Sequence, residues 1–517
     1  MESLNILLED VIDKCGGFGR FQWTVVSVAM LSKVACAWGI LMMQFGGATP
    51  DWWCQWTNDS AIESTANNES RLLEFYQACS LPGNGSTPLH CFSVRFSNDM
   101  NTVVNEWGLI CDKDWVTSTI TTIQMGGLLV SGILAGQLSD TFGRKPTFVL
   151  SLLIMTISNL IAAFSISWEM FAVLRFLIGL GSGIYLATMY IYMIEFIPKK
   201  YRPMITAFPA FPIFAAMFGL MAWWLRDWKN LHYATTIVTA STLLSTLVIP
   251  ESFRWLASRY KVEKSMEVIK KVARTNNREV PDLTKLQDVI YKSVGESNKK
   301  FTLIDIFRHG NFLQTSCLLM FCWLSCGYSY YAIAFGVGQL SGSLYVNMFL
   351  LSVVEIPGTL SSWYLNNRIG RRWTCCLLFM IAAVAGLVAA TLQIVDVPDK
   401  ASMITGFSLA AKLGVSAAWP ALMTYTTELY PTVIRNISYG FLSSVSRVGA
   451  MIAPQIVHLN TKVPGLLYFL FGGSMFLSAI ISLMFPETKG KALEDQIQTK
   501  NIDFKETEKT NKKDNGI

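Results

Sequence analysis

Long apolar runs alternate with short polar breaks along the chain. The runs 146–168, 374–395 and 463–486 contain no Asp, Glu, Lys or Arg, and each exceeds the roughly 20 residues that a helix needs to cross a bilayer. A backbone in lipid must satisfy its own hydrogen bonds, so these runs are predicted to be helices. The whole pattern predicts twelve spans, at 21–45, 115–138, 147–166, 170–192, 203–225, 231–250, 314–335, 345–366, 374–395, 402–425, 436–458 and 464–485.

Composition supports a membrane protein. Of 517 residues, 52% are hydrophobic and 15% charged, whereas about a quarter of a soluble domain is charged. The first run is longer than a signal peptide and lacks a cleavage pattern, so it is expected to remain as a span. The sequence contains no P-loop, metal-ligand cluster or nucleophile elbow, and we expect neither an enzyme nor a cofactor. The stretch "GLGSG" at 179–183 lies inside an apolar run, which indicates close helix packing rather than nucleotide binding.

Loop charges predict the orientation. Residues 251–313 carry 13 Lys and Arg, whereas residues 48–114 carry 3 against 9 Asp and Glu. Because cytoplasmic loops are rich in Lys and Arg, both termini are predicted to be cytoplasmic in a plasma-membrane protein. The predicted parts are a cytoplasmic N-terminus (1–20), an N-terminal six-helix bundle (21–250) with an extracellular loop (48–114), a cytoplasmic loop (251–313), a C-terminal six-helix bundle (314–485) and a cytoplasmic tail (486–517).

The predicted extracellular loop carries the chemistry of an oxidising compartment. Its glycosylation acceptors are Asn58, Asn68 and Asn84. A fourth acceptor sequence, at Asn436 on the predicted cytoplasmic side, shows that such tripeptides also arise by chance. The loop also holds four cysteines, Cys54, Cys79, Cys91 and Cys111, which allow two disulfides in three possible pairings. The other cysteines, in or beside the spans, are expected to be packing residues.

Three short motifs occur once in each half. The pairs are "LSDTFGRK" (138–145) with "LNNRIGRR" (365–372), "EFIPKKYR" (195–202) with "ELYPTVIR" (428–435), and "PES" (250–252) with "PET" (486–488). All three pairs are offset by 227 to 236 residues, so the chain is predicted to consist of two six-span repeats. Transporters are commonly built this way, with the substrate site at mid-membrane between the repeats.

The motifs resemble a known superfamily and one family within it. Residues 136–145 match the G-x-L-x-D-x-x-G-R-K signature of the major facilitator superfamily. "RFLIGLGSG" (175–183), "ESFRWL" (251–256) and "ELYPTVIRN" (428–436) resemble the organic cation, organic anion and carnitine transporters, solute carrier family 22. That family usually has Pro at the position of Phe253 and often six loop cysteines rather than four. The resemblance implies an all-α, twelve-helix transporter that carries small organic ions by alternating access.

The repeated motifs also suggest a gate. Acidic and basic side chains at the predicted cytoplasmic helix ends can form an ion-pair latch that holds the two halves together on the inside while the cavity opens outward. The gating candidates are Asp140, Gly143, Arg144, Lys145, Glu195, Arg202, Glu428 and Arg435. Asn367 replaces the acid in the second copy, which should weaken it. The alternative is that these residues only fix topology and end helices.

Ionisable residues inside the spans point to the substrate pathway. Each costs at least about 2.5 kcal/mol at mid-membrane unless it faces a cavity or a partner. Lys33, Arg175, Glu355, Lys412 and Arg447 are such residues. Arg175 is interpreted as structural, because the superfamily typically has Arg there. Glu355 precedes a proline that should kink the eighth span; it either pairs with Lys412 or Arg447 or contacts substrate.

Arg447 is the sharpest indication of substrate charge. Anion and carnitine members of the resembled family carry Arg at this position, and cation members carry Asp. An Arg fork can hold a carboxylate through two hydrogen bonds. Lys33 either adds positive charge to the cavity or extends outward. With Lys412, three cations face the single acid Glu355, which favours organic anions or zwitterions such as carnitine.

Aromatic side chains complete the predicted site. Trp323 and Tyr330 are seven residues apart and share a helix face, and Tyr331 is adjacent. The resemblance adds Trp419 and, more weakly, Phe211. These rings either pack or bind flat or cationic groups. The predicted substrate-binding residues are Lys33, Trp323, Tyr330, Tyr331, Glu355, Trp419 and Arg447.

Three other functions remain open at this point. An organic cation transporter of the same family would prefer the opposite charge. A sugar transporter of the same superfamily would line its cavity with amides. A receptor or scaffold without transport would need no gate.

Overall fold

The structure is a computed structural model that describes residues 2–55, 79–81, 89–91, 93–202, 208–292, 310–430 and 432–490. Twelve spans lie within these residues, which confirms the predicted fold. Spans 1 and 8 are each broken into two helices. In order, the spans are Arg20–Leu31 with Lys33–Gly46, Trp115–Phe142, Arg144–Ala162, Trp168–Phe196, Ala210–Leu225, Trp228–Ser245, Gly310–Phe335, Leu344–Val353 with Glu355–Arg368, Arg371–Ile394, Lys400–Leu429, Thr432–Lys462 and Leu466–Met484.

The twelve spans differ in how apolar they are. Nine of the described helical spans are long and apolar enough to cross a membrane on length and composition alone. Ala210–Leu225 is apolar but has only 16 residues. Trp228–Ser245 has a buried threonine face, and Thr432–Lys462 carries Arg447 and other basic residues. The last two therefore owe their place to packing among other helices rather than to hydropathy.

Short elements cover the two ends of the bundle. The predicted cytoplasmic loop contains the helices Phe253–Ser258, Val262–Thr275 and Thr284–Lys292, and a further helix, Glu2–Lys14, precedes the first span. At the other end are a helix, Val103–Trp107, and 3₁₀ turns at Cys111–Lys113 and Gly336–Gln339. Antiparallel strands pair Trp52–Gln55 with Ser93–Phe96 and Ser80–Leu81 with Leu89–His90.

The described loop cysteines form two disulfides, Cys54–Cys91 and Cys79–Cys111. The predicted glycosylation acceptors Asn58, Asn68 and Asn84 lie outside the described residues, as does the tail 491–517. We call the end of the bundle that carries the disulfides the disulfide face. The opposite end, where the repeated basic motifs lie, is called the motif face.

The glycine-rich stretch in span 4 permits close helix packing. A Cβ atom on Gly179 would lie 2.0 Å from the carbonyl oxygen of Gln124 in span 2. A Cβ on Gly183 would lie 1.6 Å from Oγ of Ser131, which is also in span 2. Only glycine fits such an approach, so the packing interpretation of "GLGSG" agrees with the structure.

The two six-span halves touch near the disulfide face and at mid-membrane. Gln44 donates to the carbonyl of Ala334 over 2.7 Å, and Gln455 donates to Thr122 over 3.0 Å. Closer to the surface, Asp114 contacts two basic side chains of span 11. Within the described ranges, no hydrogen bond or ion pair joins the halves at the motif face. Among the residues that the structure describes, the polar contacts between the halves therefore lie near the disulfide face and at mid-membrane.

Candidate functional site

Two helix breaks place charged residues in the middle of the bundle. Span 1 breaks at Ser32, and Lys33 starts its second helix. The carbonyl of Ala29, which a continuous helix would pair with the N–H of Lys33, accepts hydroxyl hydrogen bonds from Ser32 and Tyr185, each 2.9 Å long. Because hydroxyl groups satisfy this carbonyl, the helix can be interrupted inside the membrane at little cost.

The predicted kink of span 8 is confirmed. Pro357 has no N–H to donate to the carbonyl four residues earlier, and the helix breaks at Val354. Glu355 is the first residue of the second helix. The partial positive charge of a helix N-terminus stabilises a carboxylate there.

Glu355 forms a buried ion pair with Lys412 of span 10. Their side chains are 8% and 2% exposed, and Nζ lies 2.8 Å from the carboxylate. The hydroxyl of Tyr330 donates to the other carboxylate oxygen over 3.0 Å, and Nζ of Lys412 lies 3.5 Å from the centre of the Tyr330 ring. Of the two interpretations of Glu355, the structure shows the ion pair with Lys412. The two charges cancel.

Arg447 reaches from span 11 into the first half. Its Nη1 donates to the carbonyl of Leu128 over 2.8 Å and to Oγ of Ser131 over 3.3 Å. Gly132 makes room for the guanidinium, since a Cβ there would lie 2.4 Å from Nη1. Arg447 is half-buried, and no carboxylate in the described part of the chain lies within 4.0 Å of it. The guanidinium therefore lies between the halves without a counter-charge.

Lys33 and Arg447 approach the same region from opposite halves. Cys36, one turn after Lys33, is fully buried and lies within electrostatic range of both cations. Tyr331 and Tyr439 lie close to Arg447. Lys33 also forms no ion pair with any residue that the structure describes. After the Glu355–Lys412 pair is subtracted, two positive charges remain in this region.

The predicted aromatic residues form a connected row on the second half. Ring centres of Tyr330 lie 5.2 Å from Tyr331 and 5.9 Å from Trp419, and Trp419 lies 6.1 Å from Trp323. Trp323 is fully buried, and its indole donates to Thr426 over 3.0 Å. In this conformation Trp323 is a packing residue, and the half-buried Tyr330, Tyr331 and Trp419 are the rings that border the charged region. Phe211 packs against the core.

The motif-face ion pairs form within each half. Arg144 contacts Asp140 over 2.5 Å and Glu195 over 3.2 Å. In the second half Arg371 contacts Glu428 over 2.9 Å. The described residues thus form no latch between the two halves in this conformation, and the latch expected for the outward-open state stays a prediction. The pairs instead tie span 3 to spans 2 and 4, and span 9 to span 10.

The other basic gating candidates have different partners. Arg202 pairs over 2.5 Å with Glu9 of the first helix, which also contacts Arg254 over 2.8 Å. Arg435 donates to the carbonyl of Tyr430 over 3.3 Å. No ion pair to Lys145 forms within the described ranges. Nothing in the sequence marked Glu9 as a partner, because it lies outside every repeated motif.

The third repeated motif, "PES" and "PET", caps the N-terminal ends of spans 3 and 9. In the first half, Glu251 accepts hydrogen bonds from the backbone N–H groups of Arg144 and Lys145, 3.0 and 3.1 Å long. In the second half, Glu487 accepts equivalent bonds from Arg371 and Arg372, 2.9 and 3.2 Å long. Partial burial raises the pKa of Glu487, but hydrogen bonds from four backbone N–H groups outweigh it and lower the pKa below its ordinary value.

A glycine precedes each capped helix. Gly143 and Gly370 have φ of 115° and 97°, which only glycine adopts easily. A Cβ on them would meet the capping carboxylates at 2.3 and 2.6 Å. Gly143 thus allows Glu251 to approach the helix end. The sequence showed the "PES" and "PET" repeat but not this capping role.

Comparisons with known proteins agree with the geometry. A family model described as "Sugar (and other) transporter" matches residues 57–499. "Solute carrier family 22 member 4" of Mus musculus is 32% identical over 77% of this chain and 72% of its own length. The chain belongs to solute carrier family 22 of the major facilitator superfamily. The family resemblance drawn from the motifs is confirmed.

Other members of the family match over similar or greater lengths. Human "Organic cation/carnitine transporter 2" is 31% identical over 78% of this chain and 72% of its own length. "Solute carrier family 22 member 6-A" of Xenopus laevis is 28% identical over 95% of this chain and 93% of its own length. The inward-open xylose transporter of E. coli shares the fold, with a TM-score of 0.63, 16% identity and coverage of 92% of this chain and 99% of its own. This solute carrier is thus a multi-pass membrane transporter and not an enzyme.

Proposed function

We propose that this solute carrier moves organic anions across the plasma membrane by alternating access. The observation that carries the proposal is that two cations from opposite halves, Lys33 and Arg447, form no ion pair with any residue that the structure describes. Relatives named as organic cation and carnitine transporters support organic ions as the substrate class. The net positive charge of the site favours anions within that class.

Electrostatics explains the preference. Each unpaired cation at mid-membrane costs at least about 2.5 kcal/mol, and an anionic substrate offsets part of that cost. An Arg guanidinium holds a carboxylate through two parallel hydrogen bonds. A substrate bound to Arg447 and Lys33 would bridge the two halves, so binding would favour the closed, substrate-loaded state needed for transport.

A zwitterion is the weaker candidate. For carnitine, Glu355 would have to face the quaternary ammonium, but Lys412 and Tyr330 already occupy its carboxylate oxygens. The ammonium would have to rely on the aromatic rings of Tyr331 and Trp419. A purely cationic substrate would meet the repulsion of two unpaired cations.

The position of the contacts between the halves supports an inward-facing conformation. With the basic motif face in the cytoplasm, as the Lys and Arg distribution favours, the disulfide face is extracellular. The halves contact each other on the disulfide face, so this conformation is inward-facing. The motif-face residues Arg144 and Arg371 then act as gating residues by holding each half rigid while it rocks.

Uptake by cells that express the protein tests the proposed substrate. A labelled aromatic monocarboxylate and a dicarboxylate should enter faster than carnitine, and a tetraalkylammonium should enter slowest. Lys33→Gln should lower anion uptake by about 10- to 100-fold, the value of one hydrogen bond to a charged group. Lys264→Gln, on an exposed surface helix, is the matched control and should leave uptake unchanged. A tetraalkylammonium that enters faster than both anions would refute the proposal.

Asp114 gives a test of the proposed conformational cycle. It lies 3.8 Å from His458 and 3.7 Å from Lys462, and these are the ion pairs that join the halves in the described chain. Exposed pairs contribute about 0.2–1 kcal/mol each. Asp114→Asn loses both pairs and should therefore shift the population toward the outward-facing state by roughly two- to thirtyfold.

Labelling of Cys36 measures that shift. A membrane-impermeant maleimide applied from outside should react with Cys36 faster in Asp114→Asn than in the wild type. The double variant Asp114→Asn with Cys36→Ser measures the background labelling. Asp112→Asn removes an exposed neighbouring acid that forms no ion pair within the described residues, and should label like the wild type. Equal labelling of the wild type, Asp114→Asn and Asp112→Asn would show that Asp114 does not hold the outer side closed.

A further inference from the structure

One nitrogen of Arg447 is held by the first half, while the other edge of its guanidinium is left free. Nη1 donates to the carbonyl of Leu128 over 2.8 Å and to Oγ of Ser131 over 3.3 Å. Nε and Nη2 form no hydrogen bond with any residue that the structure describes. These two nitrogens can donate parallel hydrogen bonds to the two oxygens of one carboxylate. An edge suited to a carboxylate is therefore the one without a partner in the described chain.

The two acceptors on span 2 are fixed by their surroundings. Ser131 is fully buried, and its hydroxyl donates to the carbonyl of Leu128 over 2.5 Å. Because this bond uses the hydroxyl hydrogen, the oxygen is left to accept from Arg447. Gly183 of span 4 leaves the room that this oxygen fills, since a Cβ there would lie 1.6 Å from it. Spans 2 and 4 thus hold both acceptors in place.

Gly132 provides the space that the guanidinium occupies. A Cβ at this position would lie 2.4 Å from Nη1 of Arg447 and 3.3 Å from its guanidinium carbon. A methyl group there would displace Nη1 from its two acceptors, because an atom added to a packed site forces its neighbours to shift. We call Leu128, Ser131 and Gly132 the arginine notch.

We propose that the arginine notch positions Arg447 for substrate, so that a substrate carboxylate binds to Nε and Nη2 while Nη1 stays on span 2. This inference rests on the proposed function, in which Arg447 binds the anion. Ser131 and Gly132 are then positioning residues, which set the affinity for carboxylates without touching them. A guanidinium that is already ordered binds more tightly, because ordering one such side chain on binding costs roughly two- to tenfold in affinity. The carboxylate site is complete only where the two halves meet, since the notch and Arg447 lie on opposite halves.

Initial uptake rates over a range of concentrations of a labelled monocarboxylate test the notch. Gly132→Ala and Ser131→Ala should each raise the KM by roughly two- to tenfold. The maximal rate per transporter at the cell surface should stay close to that of the wild type, because binding is weakened without a change in the translocation step. Gly126→Ala is the matched control on the same helix, since a Cβ there would meet only Cε of Met451, at 3.7 Å. Its KM should equal that of the wild type.

A double-variant cycle separates positioning from packing. In Arg447→Lys, Nζ takes the place of the guanidinium carbon and nothing takes the place of Nη1, so a Cβ at position 132 loses its closest contact. Gly132→Ala should therefore raise the KM in the wild type but not in Arg447→Lys. An equal increase in both backgrounds would overturn the proposal and leave the proposed function intact.

Two further outcomes decide the proposal. If Gly132→Ala does not reach the cell surface, Ser131→Ala decides alone, and a wild-type KM in that variant overturns the positioning role. If Arg447→Lys itself has the wild-type KM, Arg447 does not bind the anion, and both the positioning role and the proposed function fail.

Discussion

Arg447→Asp is expected to abolish uptake of organic anions and to permit uptake of a tetraalkylammonium. The wild-type guanidinium lies between the halves without a carboxylate partner in the described chain. A hydrogen bond to a charged group contributes about 1.5–3 kcal/mol, so its loss alone lowers anion uptake by about 10- to 100-fold. The new carboxylate adds repulsion and reduces the net charge of the region from two positive charges to none.

Initial uptake rates, normalised to surface expression, measure this effect. Arg447→Lys is the matched control, because it keeps the charge but loses the planar fork. It should retain more anion uptake than Arg447→Asp and gain no uptake of the tetraalkylammonium. If Arg447→Asp ranks the substrates as the wild type does, the guanidinium does not select them.

The spans could be predicted well because each one depends on the hydropathy of its own residues. Each helix in lipid satisfies its own backbone, so length and hydropathy are enough to find it. The kink before Pro357 was also predictable, since the missing N–H is a property of one residue. The break at Ser32 was not predictable. It depends on a hydroxyl of Tyr185, which lies 156 residues from its acceptor, Ala29.

The candidate site was predictable in its members but not in their pairing. Charges inside apolar runs are costly, which singled out Glu355, Lys412 and Arg447. The sequence could not say which cation Glu355 contacts, because the pairing depends on how spans 8, 10 and 11 pack, and hydropathy does not determine that. The latch stays a prediction for the other conformation. Ion pairs between the halves change with conformation, and this structure is closed at the disulfide face.

Glu355→Gln is expected to destabilise the protein strongly. The change leaves Lys412, whose side chain is 2% exposed, as a buried charge without its partner. Breaking a buried ion pair in this way costs about 3–5 kcal/mol. Thermal unfolding of the purified protein and its surface expression measure the loss. Glu263→Gln, exposed on a surface helix, should change stability by less than about 0.5 kcal/mol.

The double variant Glu355→Gln with Lys412→Met separates structure from substrate binding. Replacing both members of a buried pair by neutral residues is often close to neutral in stability, so this variant should unfold near the wild-type temperature. Its preference for anions should persist, because Lys33 and Arg447 are unchanged.

One outcome for the single variant would change the proposed substrate. If Glu355→Gln is as stable as the wild type but loses carnitine uptake selectively, the carboxylate faces the ligand, and a zwitterion becomes the favoured substrate.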